Sequence, residues 1–178
     1  YVPDDYWVVN KKYEGITDEM EMRRIYNGIN YPPIKKQNVL KYDFVYFGRL
    51  GVSKGLDILM EAAILLKTYH SEFKILLIVP EIDNRIMRDL KNQIKKHKLL
   101  KNIFFKHNLN ENELKEYLLS SNCTIVPSYS EGFCFAAVEA ISLGIPVISS
   151  ENGALPEVVS GKHIFFDPFS SVSLFNSM

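Results

Sequence analysis

Two glutamates eight residues apart, Glu131 and Glu139, are the side chains of this sequence best placed to do chemistry. The apolar residues before them predict a short buried strand that is broken at Glu131-Gly132. Helical spacing begins at Phe135 and ends before Gly144. Glu131 is therefore predicted in the loop at the carboxyl end of a strand, and Glu139 about two turns into the following helix.

The backbone between the two glutamates predicts an anion site. The amides of Gly132, Phe133 and Cys134 are expected to form the positive N-terminus of the helix. Carboxylates on either side can accept hydrogen bonds from hydroxyl groups. A nucleotide-sugar has both features, because its phosphates suit the amides and its ribose and hexose hydroxyls suit the carboxylates.

Two cations, Arg49 and Lys54, follow the first predicted strand on one loop. In an open parallel sheet, ligands bind beyond the carboxyl ends of the strands where the strand order reverses, here between the first and fourth strands. Arg49 could contact two phosphate oxygens with its planar guanidinium, and Lys54 could act as a point charge on the same group. The two cations are expected to face the anion site across the crevice.

These residues need a scaffold, and the rest of the chain predicts one. Strands alternate with helices, which indicates an α/β fold with a doubly wound, Rossmann-like parallel six-stranded sheet. The predicted strands are 44–47, 74–79, 102–105, 124–126, 146–149 and 163–166. Ser53 is predicted to cap the first helix, and Asn110 with Glu113 has the spacing of a capping box.

Composition bounds the class of protein. The chain has 178 residues, 47% of them hydrophobic, and a formal net charge of zero. This balance gives no electrostatic footprint for nucleic acid or for general adhesion to anionic membranes. Cys123 and Cys134 have no metal-ligand spacing, which favours a reduced, cytoplasmic protein. No apolar run approaches the roughly 20 residues of a membrane span. Any association with the inner face of a membrane is expected to occur through a missing N-terminal domain.

Residues 1–38 do not fit the alternation of strands and helices. They are interpreted as a remnant of an N-terminal domain with an interdomain linker. Residues 39–178 are interpreted as a nucleotide-sugar-binding Rossmann-like domain, truncated at its C-terminus.

Four segments resemble the C-terminal, donor-binding domain of retaining glycosyltransferases of family 4, which have the GT-B fold. The segments are 48–55, 127–140, 144–147 and 153–159, and they occur in the family's order. The resemblance implies that Arg49 and Lys54 bind the donor pyrophosphate and that Glu139 binds the ribose hydroxyls. It also implies that Glu131 is the catalytic residue and holds the transferred sugar together with the amides of Gly132, Phe133 and Cys134.

The resemblance implies an activity for the full-length protein. It would move a hexose from a nucleoside diphosphate sugar to a glycan or lipid-linked acceptor, in polysaccharide biosynthesis, with retention and without metal or other cofactor. The acceptor would bind the missing N-terminal domain, so the isolated chain is expected to be inactive. Two alternatives are a non-catalytic nucleotide-sugar-binding subunit and a nucleotide-sugar epimerase domain.

The sequence departs from the family pattern in three places. Cys134 stands where glycine is usual, which leaves less room beside the sugar. Residues 79–81 replace a glycine-rich turn, and His107 follows the third strand where the family has a different sequence. The last two loops would border the base of the nucleotide. His107 is therefore included among the donor-binding residues, and the base is not predicted.

Overall fold

A computed structural model describes residues 41–82 and 85–178. The interpretation of residues 1–38 as a remnant and linker lies outside these ranges. None of the helices in the described part of the chain is long and apolar enough to cross a lipid bilayer.

Strands and helices alternate along the described chain, as predicted. The strands are β1 (Tyr42–Phe47), β2 (Ile75–Ile78), β3 (Ile103–Lys106), β4 (Ser121–Val126), β5 (Val147–Ser150) and β6 (His163–Phe166). The α-helices are α1 (Leu56–Tyr69), α2 (Arg85–Lys96), α3 (Glu111–Leu119), α4 (Phe135–Ser142), α5 (Leu155–Val158) and α6 (Ser171–Ser177). A short 3-10 helix, Val52–Lys54, precedes α1.

The six strands form one parallel sheet in the order β3-β2-β1-β4-β5-β6. This arrangement confirms the predicted doubly wound, Rossmann-like fold. The strand order reverses between β1 and β4, which pair in register through Phe44 with Cys123 and Val45 with Thr124. The loops that leave these two strands diverge to opposite faces of the sheet, and the divergence opens a crevice at its carboxyl edge.

Both faces of the sheet are buried, which explains the nearly continuous apolar strands. Side chains alternate along β1, so Phe44 and Tyr46 enter one hydrophobic cluster while Val45 and Phe47 enter the other. The first cluster includes buried residues of α1, α2 and α6, and the second includes those of α3, α4 and α5. The two layers hold the central strands, and therefore the crevice between them, in place.

The predicted helix caps had mixed outcomes. The capping box of α3 is confirmed, because the Asn110 side chain accepts from the Glu113 amide at 3.0 Å and Glu113 accepts from the Asn110 amide at 2.9 Å. The prediction for Ser53 is wrong, because Ser53 lies inside the 3-10 helix and Gly55 occupies the N-cap of α1. Gly55 has a left-handed φ of 63°, which a glycine adopts without steric cost.

Candidate donor-binding site

A cavity of about 340 Å³ lies at the carboxyl edge of the sheet, between the ends of β1 and β4. Five of the predicted site residues line it: Arg49, Lys54, Glu131, Phe133 and Cys134. Its position is the one expected from the reversal of strand order. The structure therefore brings together residues from two loops that are far apart in sequence.

The cavity contains an ion pair that joins its two walls. The Nζ atom of Lys54 lies 2.7 Å from Oε1 of Glu131, and both side chains are largely buried, with exposures of 19% and 10%. The Ser128 hydroxyl donates to the same oxygen at 2.7 Å. The sequence predicted that Lys54 faces the anion site across the crevice, and the structure adds a direct ion pair with Glu131 that was not predicted. An ammonium has three donors, so Lys54 can keep this bond and still contact a phosphate.

Arg49 lines the cavity, where its side chain is exposed and its backbone is fixed by a hydrogen bond. The hydroxyl of Tyr46 donates to the Arg49 carbonyl at 2.9 Å. Burial raises the pKa of Tyr46 well above its usual range, and the nearby negative charge of Glu131 raises it further. Tyr46 therefore stays a neutral hydrogen-bond donor that fixes the course of the loop, and the exposed guanidinium of Arg49 can meet a ligand.

The predicted anion site is the start of α4. The helix begins at Phe135, and both Phe135 and Ala136 line the cavity, so the first turn opens onto it. The first amides of a helix have no partner within the helix. Gly132 is exposed at the tip of the loop and is not among the lining residues. The partial positive charge of the helix N-terminus thus faces the same space as Lys54.

Cys134 is the N-cap of α4 and adopts a left-handed φ of 67°. This conformation costs a residue with a Cβ roughly 1–2 kcal/mol and costs glycine nothing. Glycine, which the family resemblance led us to expect at this position, would adopt the same backbone without that steric cost. Burial, followed by the charge of Glu131, raises the pKa of the Cys134 thiol to about 12, so the side chain is a neutral packing group at neutral pH.

Both cysteines are expected to be unreactive toward iodoacetamide near pH 8 in the folded chain. Burial raises the pKa of Cys123 to about 11, as it raises that of Cys134, and the thiolate is the reactive form. Mass spectrometry after timed alkylation, with a sample unfolded in guanidinium as the control, would measure both sites. Labelling of Cys134 at the rate of the unfolded sample would contradict the buried, neutral thiol.

A third loop, between β5 and α5, holds the Glu131 loop in position. The amide of Ala154 donates to the Glu131 carbonyl at 3.0 Å, and the Asn152 side chain donates to the Tyr129 carbonyl. Gly153 has a φ of 57°, and a Cβ at this position would lie 2.6 Å from the Glu131 carbonyl oxygen. The pair Asn152-Gly153 is a strong turn signal in the sequence, but no local pattern links this turn to Glu131.

Glu139 and His107 do not line the cavity. Glu139 is the fifth residue of α4, little more than one turn in, rather than the two turns predicted. Burial raises its pKa, and the charge of Glu111 at the start of α3 raises it further, while Lys115 lowers it. The Nδ1 atom of His107 lies 2.8 Å from the Val79 carbonyl, so this ring is tied to the loop after β2.

The fold and the cavity define a class, the Rossmann-like C-terminal domain of GT-B glycosyltransferases. The family described as glycosyl transferases group 1 matches residues 30–176, and the chain belongs to that family. The narrower assignment to family 4 stays a prediction.

Individual relatives agree with this family. The chain is 29% identical over 125 residues to a D-inositol 3-phosphate glycosyltransferase of Streptomyces bingchenggensis, covering 67% of the chain and 28% of that protein. It is 28% identical over 134 residues to a mannosylfructose-phosphate synthase of Agrobacterium fabrum, covering 71% and 30%. The chain thus spans less than a third of the length of these two relatives.

Solved structures share the fold. The C-terminal domain of a glycosyl transferase group 1 family protein from Francisella tularensis is 25% identical, with a TM-score of 0.68 and coverage of 83% of this chain and 82% of that domain. The Anabaena protein HepE, solved in complex with UDP-glucose, is 21% identical with a TM-score of 0.68, covering 79% and 38%. The second likeness supports the fold alone.

Proposed function

We propose that this domain binds the nucleoside diphosphate part of a nucleotide-sugar donor in the cavity between β1 and β4, within a full-length glycosyltransferase. The observation that carries the proposal is the pairing of Lys54 with Glu131 beside the N-terminus of α4. It puts a cation for phosphate, a carboxylate for sugar hydroxyls and helix amides around one space. HepE, which shares the fold, is solved in complex with UDP-glucose, so a nucleoside diphosphate sugar is the class of ligand that we propose to test.

The cations would act on the pyrophosphate. The exposed Arg49 can contact two phosphate oxygens, and Lys54 can contact the same group without leaving Glu131. When the bond between the sugar and the diphosphate breaks, its electron pair goes to a phosphate oxygen. Fixed positive groups that already face that oxygen stabilise the developing charge.

Glu131 would act on the transferred sugar. Its side chain is held by Lys54 and Ser128, and its backbone is held by Ala154, so it can present a carboxylate oxygen in a fixed orientation. Positioning of the donor, rather than a protein nucleophile, would then supply the catalytic effect of this domain. Cys134 is not proposed as a nucleophile, because its side chain is buried and burial raises the pKa of its thiol.

The finer features of the reaction are proposed from the family resemblance. They are retention of configuration, a hexose as the transferred sugar, a glycan or lipid-linked acceptor, a cytoplasmic location and no requirement for metal. The relatives named above are a glycosyltransferase and a sugar-phosphate synthase, which favours a transferase over a binding subunit or an epimerase. Transfer by the full-length protein in the presence and absence of a chelator would test the metal requirement.

The two glutamates are expected to differ in what they recognise. Glu131→Ala should chiefly weaken the sugar-bearing donor, because removal of its carboxylate leaves Lys54 available to the diphosphate. Glu139→Ala should weaken the nucleotide with and without sugar, because the family resemblance implies that the ribose extends beyond the lining of the cavity to Glu139. Loss of a hydrogen bond to a charged group costs roughly 1.5–3 kcal/mol, or about ten- to a hundredfold in affinity.

Calorimetric titration of both variants with a nucleoside diphosphate and its glucose conjugate measures this difference. Glu116→Ala is a suitable control, since Glu116 is an exposed carboxylate on α3. Equal losses of bare diphosphate affinity in Glu131→Ala and Glu139→Ala would refute the division of roles.

A further inference from the structure

The edge of the sheet opposite the donor cavity is rich in lysine. In this parallel sheet, the residues just before each strand and the last turns of the long helices lie at this amino edge. Six of these residues form a surface that we call the lysine edge: Lys41, Lys67, Lys74, Lys98, Lys101 and Lys162. The topology therefore gathers positive charge that the zero net charge of the chain conceals.

Contacts confirm that these lysines are neighbours. A cavity of about 400 Å³ is lined by four of them: Lys41, Lys67, Lys74 and Lys101. The side chain of Lys67 donates to the carbonyl of Lys98, which brings the end of α2 to the same place. Lys162 lines an adjacent cavity that shares Asp43 and Asn122 with the first. The lysine edge is thus one continuous surface.

Little of this charge is neutralised nearby. Two carboxylates, Asp43 and Glu72, line the first cavity, and Asp43 accepts the backbone amide of Lys74 at 2.8 Å. Within residues 41–82 and 85–178, no ion pair joins a carboxylate to a lysine of this edge. The last turn of α2 adds Lys95 and Lys96 to the same end of the domain. The surface keeps a clear excess of positive charge.

We infer that the lysine edge docks on the surface of an anionic lipid membrane. Leu100 lies between Lys98 and Lys101 and is 65% exposed, so an apolar side chain stands among the cations. Such a side chain contributes binding free energy when it enters the apolar part of a lipid interface. It would contribute none on the phosphate backbone of a nucleic acid, where it stays in water. The residues that line the two cavities of this edge include lysines and no arginine, and lysines act as point charges that suit a diffuse anionic surface.

The docked orientation leaves the donor cavity accessible. The strands run from the lysine edge to the cavity, so the two surfaces lie at opposite ends of the sheet. Membrane binding and nucleotide binding should therefore be independent, and this inference does not rest on the proposed function.

Co-sedimentation with lipid vesicles tests the inference on the chain as it exists. We expect binding to vesicles of equal parts phosphatidylglycerol and phosphatidylcholine, loss of that binding in high salt, and no binding to pure phosphatidylcholine. Lys101→Glu should weaken the binding about fivefold or more. Leu100→Ser should weaken it also, with the salt dependence unchanged.

Lys91→Glu is the matched control, because it makes the same charge change on an exposed lysine in the middle of α2. It should leave vesicle affinity within about twofold, since it lies outside the edge. Thermal unfolding of each variant separates loss of binding from loss of structure. Absence of wild-type binding, equal losses in Lys101→Glu and Lys91→Glu, or binding of duplex RNA without vesicles would each overturn the inference.

Discussion

Replacing Gly55 with alanine should lower the free energy of unfolding by at least about 3 kcal/mol, or prevent folding at all. A Cβ at this position would lie 1.7 Å from the carbonyl oxygen of Pro127 and 2.7 Å from its carbonyl carbon. Both atoms belong to the backbone that leaves β4, so neither can move aside without displacing the Glu131 loop. The left-handed φ of 63° adds a conformational cost for any residue with a Cβ.

Two other glycines separate these effects. Gly161 has a φ of 73°, and a Cβ added there would meet open space. Gly161→Ala should therefore lower the free energy of unfolding only through the strained backbone conformation, by roughly 1–2 kcal/mol. Gly51 is extended, and Gly51→Ala should be nearly neutral. Urea unfolding followed by circular dichroism would measure all three variants. If Gly55→Ala is no worse than Gly161→Ala, the close contact between the two cavity loops is wrong.

Arg49→Ala and Lys54→Ala should each weaken nucleoside diphosphate binding about ten- to a hundredfold while leaving the bare nucleoside almost unaffected. The two side chains line the cavity beside the first turn of α4, so removal of either takes away a charge that faces the phosphates. Arg49→Lys should also lose affinity, because an ammonium cannot reproduce two parallel guanidinium contacts. Calorimetric titration with the diphosphate and the nucleoside measures the difference.

The two variants should differ in stability. Arg49 is exposed, so Arg49→Ala should lower the free energy of unfolding by less than about 1 kcal/mol. Lys54→Ala leaves the largely buried Glu131 without its cation, so it should lower the free energy of unfolding by more, roughly 1–3 kcal/mol. Lys91→Ala serves as a cation control away from the cavity. Unchanged diphosphate affinity in both Arg49→Ala and Lys54→Ala would show that the phosphate site is elsewhere.

Much of the fold could be predicted because its signals are local. Short apolar runs bounded by turns and helices located all six strands, and alternation of strands with helices indicated a parallel sheet. The capping box of Asn110 and Glu113 depends on residues three apart, and the structure has it as expected. The reversal of strand order between β1 and β4 followed from the common order of such sheets.

The site could be predicted only in part, because its geometry depends on contacts between distant residues. Lys54 and Glu131 are 77 positions apart, and no local pattern shows that they pair. The misassigned cap of α1 has the same origin, since Gly55 is required by its contact with Pro127 rather than by the helix.

The distribution of charge over the surface could not be predicted from composition. Equal numbers of acidic and basic residues indicated no preference for an anionic surface. The topology nevertheless collects lysines at the amino edge of the sheet, because several strands are preceded by one. A net charge therefore limits the total field of a domain, while the fold decides where that field is strong.

The central claim is that a nucleoside diphosphate binds between β1 and β4, and an amide chemical-shift titration tests it most directly. Nitrogen-15-labelled chain would be titrated with the four common nucleoside diphosphates, since the base is not predicted. We expect saturable shifts that cluster at Arg49, Lys54 and residues 131–136, with much smaller shifts for the nucleoside. Shifts confined to the lysine edge, or no saturable shifts with any diphosphate, would contradict the assignment of this cavity as the donor site.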